Sequence, residues 1–270
     1  MRAIERLTTA WDLMNDSWSV IRSEKKMMIF PLLMLLCFAI VLVSFVAPMY
    51  LYFLPGKSTY VMLGFFFIVY LVIYFVGTLF HSAMISFSAT KFRGDKPNLK
   101  SSLIQAMKHW PKLLIWSFIS AVVAIIFQAI NILARKKGGR GIARLVSKIG
   151  GIVWSYATFF VLPLILFEGK GPFASIKGSA SLFKDTWGES VAGNIGINII
   201  LKLLFLIGAL IFGFLYILEV PLEVLIIPGI IYALLVFAFY ISMKAVFVTA
   251  LYRYAKNDDL PNIFSSGTIP

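Results

Sequence analysis

The sequence predicts an all-α, polytopic integral membrane protein, with about six transmembrane helices and three interfacial amphipathic helices. Three observations predict this class: 60% of the 270 residues are hydrophobic, only 14% are charged, and the apolar residues form long runs. A soluble domain carries about 25% charged residues, and one bilayer crossing takes about 20 apolar residues. The composition therefore excludes a soluble domain, and the number of apolar residues is sufficient for about six bilayer crossings. The single cysteine excludes a disulfide scaffold.

Residues 1–26 are expected to form an N-terminal cytoplasmic amphipathic helix that lies in the membrane interface. Their apolar residues recur at spacings of three and four, which places them on one helical face. These residues are Ile4, Leu7, Trp11, Met14, Trp18 and Ile21. Because no small-residue cleavage site follows, we do not expect a cleaved signal peptide.

Six apolar runs follow, each long enough to cross a bilayer. They cover residues 27–50, 60–90, 113–134, 149–167, 190–218 and 224–251. We therefore expect a six-span membrane domain over residues 27–254 and a short C-terminal tail over residues 255–270.

The distribution of basic residues predicts the orientation, because Lys and Arg accumulate on the cytoplasmic side. With both termini inside, the cytoplasmic segments hold more than twice as many basic residues as the external ones. One external segment breaks the rule, and its six basic residues are candidate contacts for lipid headgroups. They are Arg135, Lys136, Lys137, Arg140, Arg144 and Lys148. The alternatives are a solvated connector or a shallow hairpin within residues 113–150.

A weak threefold repeat organises the chain, in which an amphipathic helix with a nearby tryptophan precedes a pair of spans. We expect the second and third interfacial helices near residues 97–110 and 172–188. The second has Leu99, Leu103, Ile104 and Met107 on one face, and the third has Phe173, Ile176, Ala180, Phe183 and Trp187. The predicted interfacial anchors are Trp11, Trp18, Trp110 and Trp187. Docking of a partner is the alternative role for these helices.

Asn194, Asn198 and Lys202 form a polar stripe with four-residue spacing in the fifth run. A lysine near the middle of a span costs roughly 2.5–3.5 kcal/mol and persists when it is paired, hydrated or used. We expect either a hydrated polar path along this stripe or a lysine held by carbonyl and amide groups in a packed bundle. Lys244 lies closer to its span end, where its side chain can reach the interface.

The sequence contains no motif for catalysis, metal binding or cofactor binding, so we expect neither an enzyme nor a bound cofactor. The alternative is an enzyme that acts on lipid headgroups, for which Glu168 and Glu189 are the plausible pair of carboxylates. We expect membrane lipids with anionic headgroups as partners, a possible homo-oligomer or membrane-protein partner, and no nucleic acid.

Residues 157–188 carry a resemblance to a known family. Ala157-Thr158-Phe159-Phe160-Val161-Leu162-Pro163, Glu168-Gly169 with Gly171-Pro172, and Thr186-Trp187-Gly188 resemble an uncharacterised family of prokaryotic polytopic membrane proteins. Trp18-x-x-x-Arg22 and the segment from Ala250 to Ala255 fit the same pattern. The family is distantly similar to the membrane domain of some glycerophosphodiester phosphodiesterases, although we expect no attached catalytic domain in this protein. The resemblance implies a fold and a prokaryotic plasma membrane location, and it implies no activity.

Two functions remain open. The first is a membrane scaffold that organises lipids or partners. The second is a channel or transporter for an anion or an anionic lipid, with its path around Lys202.

Overall fold

The computed structural model describes residues 2–49, 59–136 and 140–256. Within these ranges, the side chains of residues 2–10, 13, 46–48, 59–60, 63, 131, 133–136 and 140–148 are not described. The described residues are helical and contain no β-strand. The predicted all-α class is confirmed.

The α-helices follow one another through short connections. They are α1 (Arg2–Ser23), α2 (Ile29–Pro48), α3 (Thr59–Phe92), α4 (Leu99–Met107), α5 (Trp110–Lys136), α6 (Arg140–Ala157), α7 (Val161–Phe167), α8 (Pro172–Asp185), α9 (Trp187–Ile217) and α10 (Leu222–Ala255). A 3-10 turn at Lys25–Met28 joins α1 to α2. Along the chain, a helix is followed by two spans, and this arrangement occurs three times, as the predicted repeat requires.

Among the described residues, six segments are long and apolar enough to span a membrane, which confirms the predicted number. They are Lys25–Phe45, Gly64–Phe92, Trp110–Ile130, Ile149–Phe167, Trp187–Ile217 and Leu222–Ala255. The chain therefore has the architecture of a multi-pass membrane protein.

The fourth span is interrupted, although its sequence reads as one apolar run. Helix α6 ends at Ala157 and α7 begins at Val161. At the break, the Thr158 hydroxyl donates a hydrogen bond to the Trp154 carbonyl oxygen at 2.7 Å. The Phe160 amide instead donates to Ser179 Oγ at 2.9 Å. This contact matters because a buried N–H without a partner costs free energy.

The chain divides into two compact units. The first contains Met1–Leu33, Ala83–Ser102 and Asp185–Pro270, and the second contains Met34–Ser82 and Leu103–Lys184.

In the first unit, α1 packs against both α9 and α10. Two glycines of α9 leave space for the side chains of α1 and α10 that pack against it. A Cβ atom at Gly196 would lie 2.9 Å from Met14 Sδ, and a Cβ atom at Gly193 would overlap the Phe247 ring. Helix α1 is therefore tied to the α9–α10 pair by direct packing, which its amphipathic sequence alone does not predict.

In the second unit, the core lies between α5 and α7. Leu113, Trp116, Val161 and Ile165 are buried together. The Trp116 ring stacks on that of Trp154, with centroids 6.0 Å apart and planes inclined by 17°. This core holds the two halves of the interrupted span against α5.

Helices α4 and α8 bury several small residues and expose some of their large apolar ones. The buried residues are Ser102 and Ala106 in α4 and Pro172, Ser175 and Ser179 in α8. By contrast, Ile104, Met107 and Phe173 are 48%, 47% and 73% exposed. The predicted apolar faces are therefore divided. Ile176 packs against the core of the second unit and Phe183 stacks on Tyr156, whereas Ile104, Met107 and Phe173 point away from the protein.

Both helices are entered through a turn with a left-handed glycine. Gly94 has φ +84° and Gly169 has φ +59°. Pro172 is the first residue of α8, as expected of a proline in a first helical turn. Asn98 directly precedes α4, and its Oδ1 accepts a hydrogen bond from the Lys100 amide at 2.8 Å.

Candidate functional site

The predicted polar stripe of α9 lies beside α10. Asn198 Nδ2 donates a hydrogen bond to the Asn194 carbonyl oxygen at 2.7 Å. The Tyr240 hydroxyl of α10 donates to Asn198 Oδ1 at 2.9 Å. Both asparagines are half-buried. Asn194 and Asn198 of the stripe therefore belong to a polar contact between α9 and α10.

Lys244 extends this contact along α10. Its Nζ lies 5.0 Å from the centroid of the Tyr240 ring, which is within the range of a cation–π interaction. Since α9 and α10 are consecutive helices of a hairpin, the pairing of Asn198 with Tyr240 brings Asn194 level with Lys244. The sequence analysis did not include Lys244 in the candidate site. Its four-residue spacing from Tyr240 on α10 is the signal that could have identified it.

Lys202 is exposed on the surface of α9, one turn beyond Asn198. The helix has 31 residues, about 46 Å at 1.5 Å per residue, whereas the hydrocarbon core is about 30 Å thick. Glu219 and Glu223 flank the α9–α10 turn and mark one membrane boundary, because carboxylates avoid hydrocarbon.

Counting about 20 residues back from Leu218 places the other boundary near Ile199. The same count from Leu222 along α10 reaches Ile241. Lys202 then lies only about 5 Å inside the hydrocarbon, within reach of the interface for its long side chain. On this count Lys202 lies closer to the interface than the mid-span depth expected above, and that depth stays a prediction.

The predicted headgroup contacts between the third and fourth spans fall mostly outside the described residues. Arg135 and Lys136 end α5, and Arg140, Arg144 and Lys148 belong to α6. The side chains of these five residues are not described. Lys137 lies outside the described residues altogether.

The four predicted tryptophan anchors are all exposed. Trp11 is 66% exposed, Trp18 48%, Trp110 50% and Trp187 56%. Trp110 and Trp187 are the first residues of α5 and α9, whereas Trp18 lies within α1. Their exposure leaves the indole rings available to the headgroup region, which tryptophan prefers.

The turn before α8 is held by charged side chains. Lys170 Nζ forms an ion pair with Glu168 Oε2 at 2.6 Å, and Lys112 Nζ donates to the Gly169 carbonyl oxygen at 2.5 Å. Nearby, burial and then the charges of Lys112 and Lys108 lower the pKa of His109. Glu168 therefore has a structural partner, while Glu189 is buried in the first turn of α9.

Within the described residues, no group of three or more His, Cys, Asp or Glu side chains is placed to hold a metal ion. The described residues provide polar contacts, exposed tryptophans and exposed basic residues.

Residues 58–260 match a family model described as a family of unknown function, DUF6159. The chain belongs to this family. The DUF6159 match covers α3 to α10, and so includes the Asn198–Tyr240 contact and the turn before α8. Helix α1 precedes the matched range. No curated protein matches the chain significantly.

Proposed function

We propose that the protein is a non-catalytic membrane scaffold that organises anionic lipids, and through them other membrane proteins or further copies of itself. One observation carries the proposal. Helices α4 and α8 expose Ile104, Met107 and Phe173, while Ser102, Ala106, Ser175 and Ser179 are buried. An amphipathic helix that lies in the interface exposes its apolar residues to lipid in this way.

Exposed lysines accompany these apolar side chains. They are Lys100 and Lys108 at α4 and Lys177 and Lys184 on α8. Each basic residue near an anionic membrane surface contributes about 1 kcal/mol. With a net charge of +13, the chain favours anionic over zwitterionic lipids.

The test compares phosphatidylglycerol with phosphatidylcholine in the annulus around the reconstituted protein, using spin-labelled lipids. We expect replacement of the four lysines by glutamine to lower the preference for phosphatidylglycerol. Replacement of the same four lysines by arginine keeps the charge and is the matched control. An unchanged lipid preference in the glutamine variant would refute the proposal.

The absence of catalysis is part of this proposal. The pairing of Glu168 with Lys170 supports it, because a carboxylate held in an ion pair is a poor general base. A lipid hydrolase activity that disappears in Glu168→Gln would contradict it.

The proposed location is a prokaryotic plasma membrane, with both termini in the cytoplasm. The distribution of basic residues supports the orientation. The distant similarity to the membrane domain of glycerophosphodiester phosphodiesterases is part of the same proposal and rests on the quoted sequence segments.

Cysteine labelling in a Cys37→Ser background tests the orientation. We expect Lys177→Cys to be labelled from the cytoplasmic side and Gly139→Cys from outside. Labelling of Gly139→Cys from the cytoplasm would overturn the alternation of six spans.

A second candidate function is transport of an anion or an anionic lipid. The observation in its favour is the set of polar contacts that joins Asn194, Asn198, Tyr240 and Lys244. Lys202 is exposed one turn beyond Asn198 on α9. If it lines a path, Lys202→Met abolishes anion flux into reconstituted vesicles and Lys202→Arg retains it. Under the scaffold proposal, vesicles that contain the wild-type protein show no flux above that of empty vesicles.

A further inference from the structure

An apolar cavity of about 240 Å³ lies in the first unit, between α1, α9 and α10. Its walls include Trp18 of α1, Ile200 and Leu204 of α9, and Phe239 and Met243 of α10. Apolar cavities of about 150 Å³ stay dry and bind molecules of the size of benzene. This cavity is larger and suits a segment of a hydrocarbon chain.

The cavity forms beside the close contacts of the glycines of α9. Met14 packs on Gly196 and brings α1 against α9. One turn further along α9, the larger Ile200 replaces glycine. There the Trp18 ring meets the Phe239 ring edge-on, with centroids 5.2 Å apart. The helices are therefore in close contact at the level of Gly196 and leave space one turn further along, at the level of Ile200.

The position of the cavity along α9 and α10 matches the membrane boundary derived above. Ile200 is next to Ile199, and Phe239 is two residues from Ile241, where the two helices enter the hydrocarbon. The cavity thus lies at the depth where the acyl chains of a phospholipid join its headgroup.

One face of α1 runs alongside the cavity. Trp11, Asn15 and Trp18 all line it, and Arg22 follows at the next four-residue step. Residues with this spacing share a helical face. Arg22 is exposed, as are Lys25 and Lys26 just beyond it. Basic groups at this position complement a phosphate.

We infer that the cavity binds one acyl chain of an anionic phospholipid whose phosphate contacts Arg22. The inference deepens the proposed function, on which it rests, by naming one site with a fixed lipid stoichiometry.

The experiment is native mass spectrometry of the full chain in mild detergent, after incubation with phosphatidylglycerol or phosphatidylcholine of identical acyl chains. We expect the wild type to retain one phosphatidylglycerol. Leu204→Phe fills the cavity and loses this lipid. Ile207→Phe adds the same ring at an exposed position of α9 outside the cavity and retains it.

Arg22→Gln tests the headgroup contact separately. We expect this variant to bind a lipid but to lose about fivefold of its preference for phosphatidylglycerol, the amount that corresponds to one basic residue near a charged headgroup. Arg22→Lys retains the charge and the preference.

Two results would overturn the inference. One is retention of the lipid in both Leu204→Phe and a second filled variant, Ile200→Phe, each with a melting temperature near that of the wild type. The other is equal loss of lipid in Leu204→Phe and Ile207→Phe. Either result leaves the proposed function standing if the four-lysine variant still loses its annular preference for phosphatidylglycerol.

Discussion

The Tyr240 hydroxyl donates a hydrogen bond to Asn198 Oδ1 at 2.9 Å and joins α10 to α9. Through the Asn198 amide, the contact continues to the Asn194 carbonyl oxygen. An interhelical hydrogen bond in a membrane protein contributes about 0.6 kcal/mol on average. This pair therefore sets the register of the α9–α10 hairpin at a modest gain in stability.

Tyr240→Phe removes this hydrogen bond and leaves the side-chain Oδ1 of Asn198 without this donor. We expect the free energy of unfolding to fall by about 1 kcal/mol. Titration with a denaturing detergent measures it. Tyr216→Phe, at a tyrosine of α9 that is 63% exposed, is the control and leaves stability unchanged. An equal effect of the two substitutions would rule out a special role for the hydroxyl of Tyr240.

Gly193→Ala places a Cβ atom against the buried ring of Phe247. We expect a loss of about 2 kcal/mol, because a packed core accommodates an added methyl group poorly. Gly213→Ala on the same helix meets open space and is expected to stabilise the protein slightly, since alanine favours a helix. Thermal unfolding in detergent compares the two. Equal melting temperatures would show that the contact between Gly193 and Phe247 is looser than described.

Ser179→Ala removes the acceptor of the Phe160 amide at the break between α6 and α7. An unsatisfied buried donor costs about 2 kcal/mol, so we expect a clear loss of stability. The control is Ser181→Ala, at an exposed position of α8. Amide hydrogen exchange adds a local measurement, in which Phe160 exchanges faster only in the Ser179 variant. Unchanged exchange at Phe160 would mean that the amide has another acceptor.

Asp16 of α1 predicts a pH dependence of stability. Burial, and then the charge of Asp12, raise its pKa from 3.8 to about 6. The stability that protonated Asp16 contributes is fully present below pH 3.8 and is lost as the pH rises through 6. Asp16→Asn should therefore raise the melting temperature at pH 7.5 and have little effect at pH 4.

The exposed Asp185 provides the control for this titration. We expect Asp185→Asn to leave the difference between the melting temperatures at pH 4 and pH 7.5 as it is in the wild type. If Asp16→Asn also left that difference unchanged, the titration would belong to another group.

The turn before α8 shows how far local sequence signals reach. The Gly169-Lys170-Gly171-Pro172 segment predicts a turn followed by a helix, and the structure has a left-handed glycine at 169 and a helix from Pro172. Such signals act over a few residues, so they can be read from the chain. The hydrogen bond from Lys112 to Gly169 joins residues 57 positions apart and could not be read in the same way.

The apolar faces of α4 and α8 mark a second limit. Periodicity identifies which residues share a face, but the direction of that face depends on what surrounds the helix. In a soluble protein, apolar residues such as Ile104 and Phe173 turn inward, whereas here they are exposed and Ser102 and Ser175 are buried. Under the proposed function, surrounding lipid reverses the usual preference of apolar residues for the protein interior. The residue pattern of the helix is the same in a soluble protein and in a membrane protein.

The sequence by itself determined the helical membrane class, the six spans and the order of helix and hairpin, because hydrophobic content and run length depend only on composition along the chain. The tertiary structure alone decided the break at residues 158–160, the packing of α1 on Gly196 and the cavity beside Trp18. Each of these depends on which distant residues meet, and a single chain read in order does not contain that information.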